Sequence, residues 1–139
     1  MERIDVAYAL LTNKKNEVLI VHNKDRNQWS LPGGAVEAGE KLYEAVVRET
    51  KEETGLEVEA VHLVAVNEAL LTTSQHHALF FIFQTKITGG SESIAFPDEI
   101  SELRWVSIEK AAELIPYYPY GMDKLLEASA FYYDEGVKA

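Results

Sequence analysis

From Glu40 to Thr54 the chain contains neither glycine nor proline, and glycines bracket it at Gly39 and Gly55. Within it, Leu42, Tyr43, Val46, Val47 and Thr50 recur on one side at the spacing of a helix. Gly55 supplies a C-terminal cap, because a residue without a β-carbon accepts the left-handed backbone that ends a helix. Upstream, the proline and paired glycines of Trp29-Ser30-Leu31-Pro32-Gly33-Gly34 end regular structure, so this segment reads as a loop. The rest of the chain has to accommodate one helix fixed between two breaks.

On either side the pattern shifts to β-rich apolar runs. Ile4 to Leu11 and Val18 to His22 read as strands, and the polar turn from Thr12 to Glu17 makes them a hairpin. Further on, Val58 to Val66, Ala78 to Ile87 and Leu103 to Val106 read as strands, and Ile108 to Ile115 and Met122 to Phe131 as helices. The tail from Asp134 to Ala139 reads as frayed. Strands and helices mixed in this way predict an α/β fold. With 139 residues, no repeat and no linker, residues 1–139 are expected to form one domain.

Composition limits the partners. A formal charge of -10 repels a nucleic-acid polymer, whose affinity for proteins comes mainly from lysine and arginine. No apolar run reaches the roughly 18 residues of a membrane span. The N-terminus lacks a secretory pattern and the chain has no cysteine, so the expected compartment is the cytoplasm. A small phosphate ester remains compatible with this acidity, because divalent cations held by carboxylates reverse the local field.

On a helix, Glu49, Glu52 and Glu53 fall within an arc of roughly 100°. Like charges at these spacings repel by a few tenths of a kcal/mol per pair, and acids in a last turn oppose the helix dipole. A hard cation such as Mg²⁺, which takes oxygen ligands, offsets both penalties. The competing reading is a solvated acidic face with an ordinary Glu44–Arg48 helix pair. The loop shifts the balance, because Gly33, Gly34 and Gly39 let backbone approach a ligand closely.

Gly34, then Glu40, Arg48-Glu49-Thr50, Glu52-Glu53 and Gly55-Leu56 stand at spacings that resemble the Nudix box, 34–56, without a gap. Seven fixed identities would coincide by chance at a given start with probability on the order of 10⁻⁸. Trp29-x-Leu31-Pro32-Gly33-Gly34 resembles a common lead-in to that box. Thr50 stands where the family usually has an aliphatic residue, and its methyl group can still pack. The resemblance, to MutT-like Nudix hydrolases, implies an α/β/α sandwich with a central mixed sheet and a loop-helix-loop catalytic motif.

It also implies roles. Glu52 and Glu53 are the principal metal ligands, Glu49 is a further ligand or a general base, and the Gly33 carbonyl contributes to the metal site. Arg48 orients the glutamates, and Glu40 binds or positions metal. The family often draws a further carboxylate from outside the box, and Glu99 in Asp98-Glu99-Ile100-Ser101-Glu102 occupies such a loop. The implied cofactor is Mg²⁺, with Mn²⁺ as a substitute. The implied reaction is attack of water on phosphorus in a nucleoside diphosphate linked to another group. A nucleotide-sensing domain without turnover is the alternative.

Other motifs carry less. Gly34 and Gly39 have the spacing of a Walker loop but precede Glu40-Lys41, which excludes it. His76 and His77 are adjacent in a strand, point apart and make no metal pair. Tyr118, within Tyr117-Tyr118-Pro119-Tyr120, and Trp29 read either as stacking surfaces for a substrate base or as packing. A dimer contact through the tyrosines leaves a homodimer open. The stretch Leu71 to Ser74 lacks the proline of many ADP-ribose hydrolases and the tyrosine of diadenosine polyphosphate hydrolases. The upstream signature of coenzyme A hydrolases is also missing, so no substrate is singled out.

Overall fold

The side chains of the first strand, β1 (Glu2–Leu10), alternate between two cores, and that alternation organises the molecule. Ala7, Ala9 and the following Leu11 are buried on one side with Ala45, Val46 and Phe83. Leu10 is buried on the other side with Ile20, Ile82, Ala111, Ile115, Met122 and Leu125. Strands covered on both faces read as unbroken apolar runs, as β1 does from Val6 onward.

The computed structural model describes residues 1–139. After β1 come β2 (Val18–Asn23), β3 (Gln28–Ser30), β4 (Gly33–Ala35), α1 (Leu42–Thr54), β5 (Leu56–Leu71), β6 (His76–Gly90), β7 (Ile100–Val106), α2 (Ile108–Leu114) and α3 (Met122–Glu127). One sheet has the order β4-β1-β6-β5 and the other β3-β2-β7. The first is mixed: β1 runs parallel to β6, while the β1–β4 and β5–β6 pairs are antiparallel. Helix α1 packs on β1, β4 and β5, and α2 packs on α3 and β2. The strands thus lie between α1 on one side and α2 with α3 on the other. No helix is long and apolar enough to cross a membrane.

Five local expectations change. The turn from Thr12 to Glu17 closes, with Asn13 Oδ1 accepting from the Lys15 and Glu17 amides at 3.0 Å, but pairing stops after the Thr12–Val18 bridge. Instead of forming a hairpin, β1 and β2 enter different sheets, because β4 and β6 occupy the edges of β1. The Trp29–Gly34 segment is two short strands, β3 and β4, with only Leu31 and Pro32 between them. Proline is tolerated there because its carbonyl still accepts from Ala9 N at 2.8 Å.

Helix α1 starts at Leu42 rather than Glu40, since the Glu40 carboxylate folds back to accept from Glu37 N at 3.0 Å. Its C-terminus ends as expected: Gly55 has φ 78° and donates to Lys51 O at 2.9 Å. Helix α3 ends at Glu127 instead of Phe131, because Ala130 donates to Leu63 O at 2.8 Å and the chain runs extended along β5. The tail is tied down. Tyr132 meets Phe83 edge-to-face at 5.0 Å, and Lys41 Nζ donates to Asp134 at 2.6 Å.

Candidate active site

The last turns of α1 lie against β4, where Gly34 allows their approach and Gly33 allows β4 to pack on β1. At Gly33 (φ 154°) a β-carbon would collide with the Ala7 carbonyl and with Tyr8. At Gly34 it would sit 2.6 Å from the carboxyl carbon of Glu49. Without those atoms, Glu49 rests over Gly34, and Glu53 accepts from Gly33 N at 3.0 Å. In an antiparallel ladder a residue's N–H and C=O share one side. The Gly33 carbonyl therefore faces the same α1 side as the N–H that reaches Glu53.

Arg48 gathers three of the other acids. Its Nε and Nη2 grip Glu40 at 2.7 and 2.9 Å, and its Nη1 reaches Glu49 at 3.0 Å and Glu52 at 3.4 Å. A further bond from Nη2 to the Ala35 carbonyl, at 3.1 Å, ties this group to β4. The Glu44–Arg48 pair of the competing reading does not form. Glu44 accepts from Lys41 N at 2.9 Å and so caps the helix.

Arg48 holds the Glu40 carboxyl below the usual carboxylate range. Burial raises Glu49 despite its bond to Arg48, and the Glu52 and Glu40 charges add to the rise. Glu53 is pushed up to about 8, first by burial and then by the charges of Glu49, Glu99 and Glu52, against the opposing Gly33 hydrogen bond. Glu99 thus lies within electrostatic reach of Glu53, and the Glu99 carbonyl accepts from Lys24 N at 2.8 Å.

The acids do not converge on one point as a ready-made cation cage. Their chemistry nevertheless fits a hard divalent ion. The donors are carboxylate oxygens and a backbone carbonyl, and like charges crowd the buried Glu53 where a cation would relieve them.

Beside the acids opens a cleft of about 400 Å³ walled by Tyr8, Trp29, Phe80, Tyr117 and Tyr118, with Asn23 and Arg26 among its polar groups. Tyr8 belongs to both regions. Its ring lies parallel to Phe80 with centroids 6.0 Å apart, and its phenol is raised by burial, lowered by Arg26 and raised by Glu53. Trp29 carries the Arg104 guanidinium over its ring at 4.7 Å and the His22 ring edge-on at 5.1 Å. Tyr118 is only 9% exposed and packs with Met122 and Leu125, so it serves the core and the cleft together.

Glu40, Glu49, Glu52 and Glu53, with Arg48, Gly33 and Gly34, therefore meet at the α1–β4 junction. Glu99 lies within electrostatic reach of Glu53 there, and Trp29 and Tyr118 line the adjoining cleft. His76 and His77 sit opposite Glu2 and Arg3 of β1, with His77 Nε2 2.6 Å from Glu68. Sequence reasoning missed Tyr8, Asn23, Arg26 and Phe80. Tyr8 and Phe80 read simply as strand residues, and the polar stretch that holds Asn23 and Arg26 carries no motif. Only tertiary pairing brings them together.

Residues 2–128 match the family model described as NUDIX domain. A Bacillus subtilis (strain 168) protein provisionally assigned as an 8-oxo-dGTP diphosphatase is 38% identical over 73% of this chain and 64% of its own length. An ADP-ribose pyrophosphatase of Methanocaldococcus jannaschii is 36% identical over 61% of this chain and 52% of its own. The chain thus spans about half to two thirds of the length of these relatives. Among solved structures, the MutT protein of Methanosarcina mazei Go1 superposes with a TM-score of 0.71 at 28% identity, covering 91% of this chain and 92% of that one. A NUDIX hydrolase of Nitrosomonas europaea superposes with a TM-score of 0.77 over 97% of this chain and 100% of that one, at 19% identity.

Proposed function

This chain belongs to the Nudix family, and from that membership we propose that it is a Mg²⁺-dependent hydrolase, with Mn²⁺ as a substitute. Its substrate is a small nucleoside diphosphate linked to another group, cleaved at the diphosphate bond. The observation that carries this reading is the adjacency of the acidic α1–β4 junction to an aromatic cleft, with Tyr8 as their common wall. One region suits a metal-bound pyrophosphate and the other a base.

Glu52 and Glu53 would be the principal ligands, with Glu49, Glu40 and the Gly33 carbonyl completing or positioning the set. When bound, the cation neutralises charge on the phosphate oxygens and lowers the pKa of water. The chain's own groups do the rest. Arg48 draws Glu40, Glu49 and Glu52 to one side of α1, and the Gly33 N–H fixes one oxygen of Glu53.

A carboxylate must accept the proton of the attacking water. Glu49, from its place in the box, and Glu99, from the loop outside it, are the candidates. Trp29 and Tyr118 offer ring surface to the base.

A screen of nucleoside triphosphates, nucleotide sugars, dinucleoside polyphosphates and dinucleotide cofactors, with both products identified, tests this function. Hydrolysis should need Mg²⁺ or Mn²⁺ and fall by at least about a hundredfold in Glu52→Gln and Glu53→Gln, a loss of several kcal/mol in transition-state stabilisation. Full turnover in both variants would refute the metal site. Tight nucleotide binding without turnover across the panel would identify a sensor instead.

A further inference from the structure

We infer that Arg26, on the turn between β2 and β3, is a substrate-phosphate-binding residue, placed to grip the phosphate nearest the group seated in the aromatic cleft. The inference rests on the proposed reading of the site and extends it to a residue outside the Nudix box.

The chain has four arginines. Arg3 pairs with Asp5, Arg104 with Glu102, and Arg48 with Glu40, Glu49 and Glu52. Arg26 alone has no carboxylate partner, in a protein with 23 acidic residues to offer one. Its neighbour Asp25 accepts from the Arg26 backbone N–H at 3.0 Å and so closes the turn locally. Arg26 is also the sole cationic residue lining the cleft.

Its position is specific. The guanidinium lies beside the phenol of Tyr8, whose other charged neighbour is Glu53. Arg26 therefore stands where the acidic junction meets the cleft, and a diphosphate running from one to the other passes it. Guanidinium groups suit this task because their fork of donors matches phosphate oxygens.

The turn is held in place before any ligand arrives. Lys24 N donates to Glu99 O at 2.8 Å, and His22 Nε2 pairs with Asn27 Oδ1 at 2.9 Å. The Asn23 amide donates to Gln28 O at 3.1 Å and to Ser30 Oγ at 2.8 Å. Lys24, Asn23 and Asn27 thus fix the backbone on both sides of Arg26, whose guanidinium meets the Tyr8 phenol.

The test compares ligands that differ only in the phosphate. Affinities of 8-oxo-deoxyguanosine, adenosine and uridine, and of their 5′-monophosphates, are measured by calorimetry with Mg²⁺ for the wild type, Arg26→Ala and Arg26→Lys. For at least one base the wild type should prefer the monophosphate over its nucleoside, and Arg26→Ala should reduce that preference by about tenfold or more. Nucleoside affinity should stay unchanged, and Arg26→Lys should restore part of the preference.

An equal loss of nucleoside and monophosphate affinity would reveal a structural role and overturn the assignment. So would an unchanged preference in Arg26→Ala, or no preference for any monophosphate in the wild type. Turnover in the substrate screen judges the hydrolase reading separately. A wild type that hydrolyses its substrate while Arg26→Ala keeps the phosphate preference would refute this inference alone.

Discussion

Glu53 shows how one side chain links burial, proton binding and the proposed metal. Its folded-state pKa of about 8 lies above the ordinary 4.5, so the protonated form is the one favoured by folding. In the metal-free protein that contribution is full below about 4.5 and is lost as pH rises through 8. In chelator, the stability advantage of Glu53→Gln over wild type should therefore be small at pH 4.5 and grow to a plateau above pH 8. Parallel melting temperatures for the two proteins across that range would contradict the assigned environment.

Thr50 gives a second residue-scale test. The sequence identifies it as a departure from the family pattern that packs through its methyl group, and its hydroxyl is in fact buried without a partner. Thr54, one turn later, donates to the Thr50 carbonyl at 2.7 Å and accepts from Leu56 N at 3.1 Å. The two threonines differ in these local partners at the end of the helix. Thr50→Val should raise stability by about 1 kcal/mol in urea unfolding with an unchanged m-value, because it removes an unsatisfied polar group without changing shape.

At the scale of elements, α1 is legible because it is long, periodic and closed by Gly55. Strands β3 and β4 are not, since three residues carry no period and their pairing depends on β1 and β2. The predicted hairpin fails for a related reason: the turn is local, but the partners of β1 and β2 come from distant parts of the chain. The tail is the larger surprise. Tyr132 lies against Phe83, and Asp134 holds Lys41 at the start of α1. Truncation after Phe131 removes both contacts and should lower stability by about 1–2 kcal/mol, set mainly by the half-buried tyrosine ring. Asp134→Asn alone should cost much less, since an ion pair this open to water is screened. Equal losses in urea midpoint for the two variants would place the effect in the ion pair instead.

For the molecule as a whole, the two cores on opposite faces of the strands leave the α1–β4 junction and the aromatic cleft as neighbours along the same strands. The glutamates and glycines of the junction are legible as a local motif. The cleft is not, because its walls come from β1, β3, β5, β6 and the segment before α3. An overall charge of -10 fits a protein whose ligand arrives with its own cations. The most direct test of that account is anomalous scattering from crystals grown with Mn²⁺ and a non-hydrolysable diphosphate analogue. The account predicts metal peaks about 2.0–2.2 Å from carboxylate oxygens of Glu49, Glu52 and Glu53, with the diphosphate between those peaks and the cleft. Acids still gathered on Arg48, with no metal at the α1–β4 junction and the analogue bound elsewhere, would contradict it.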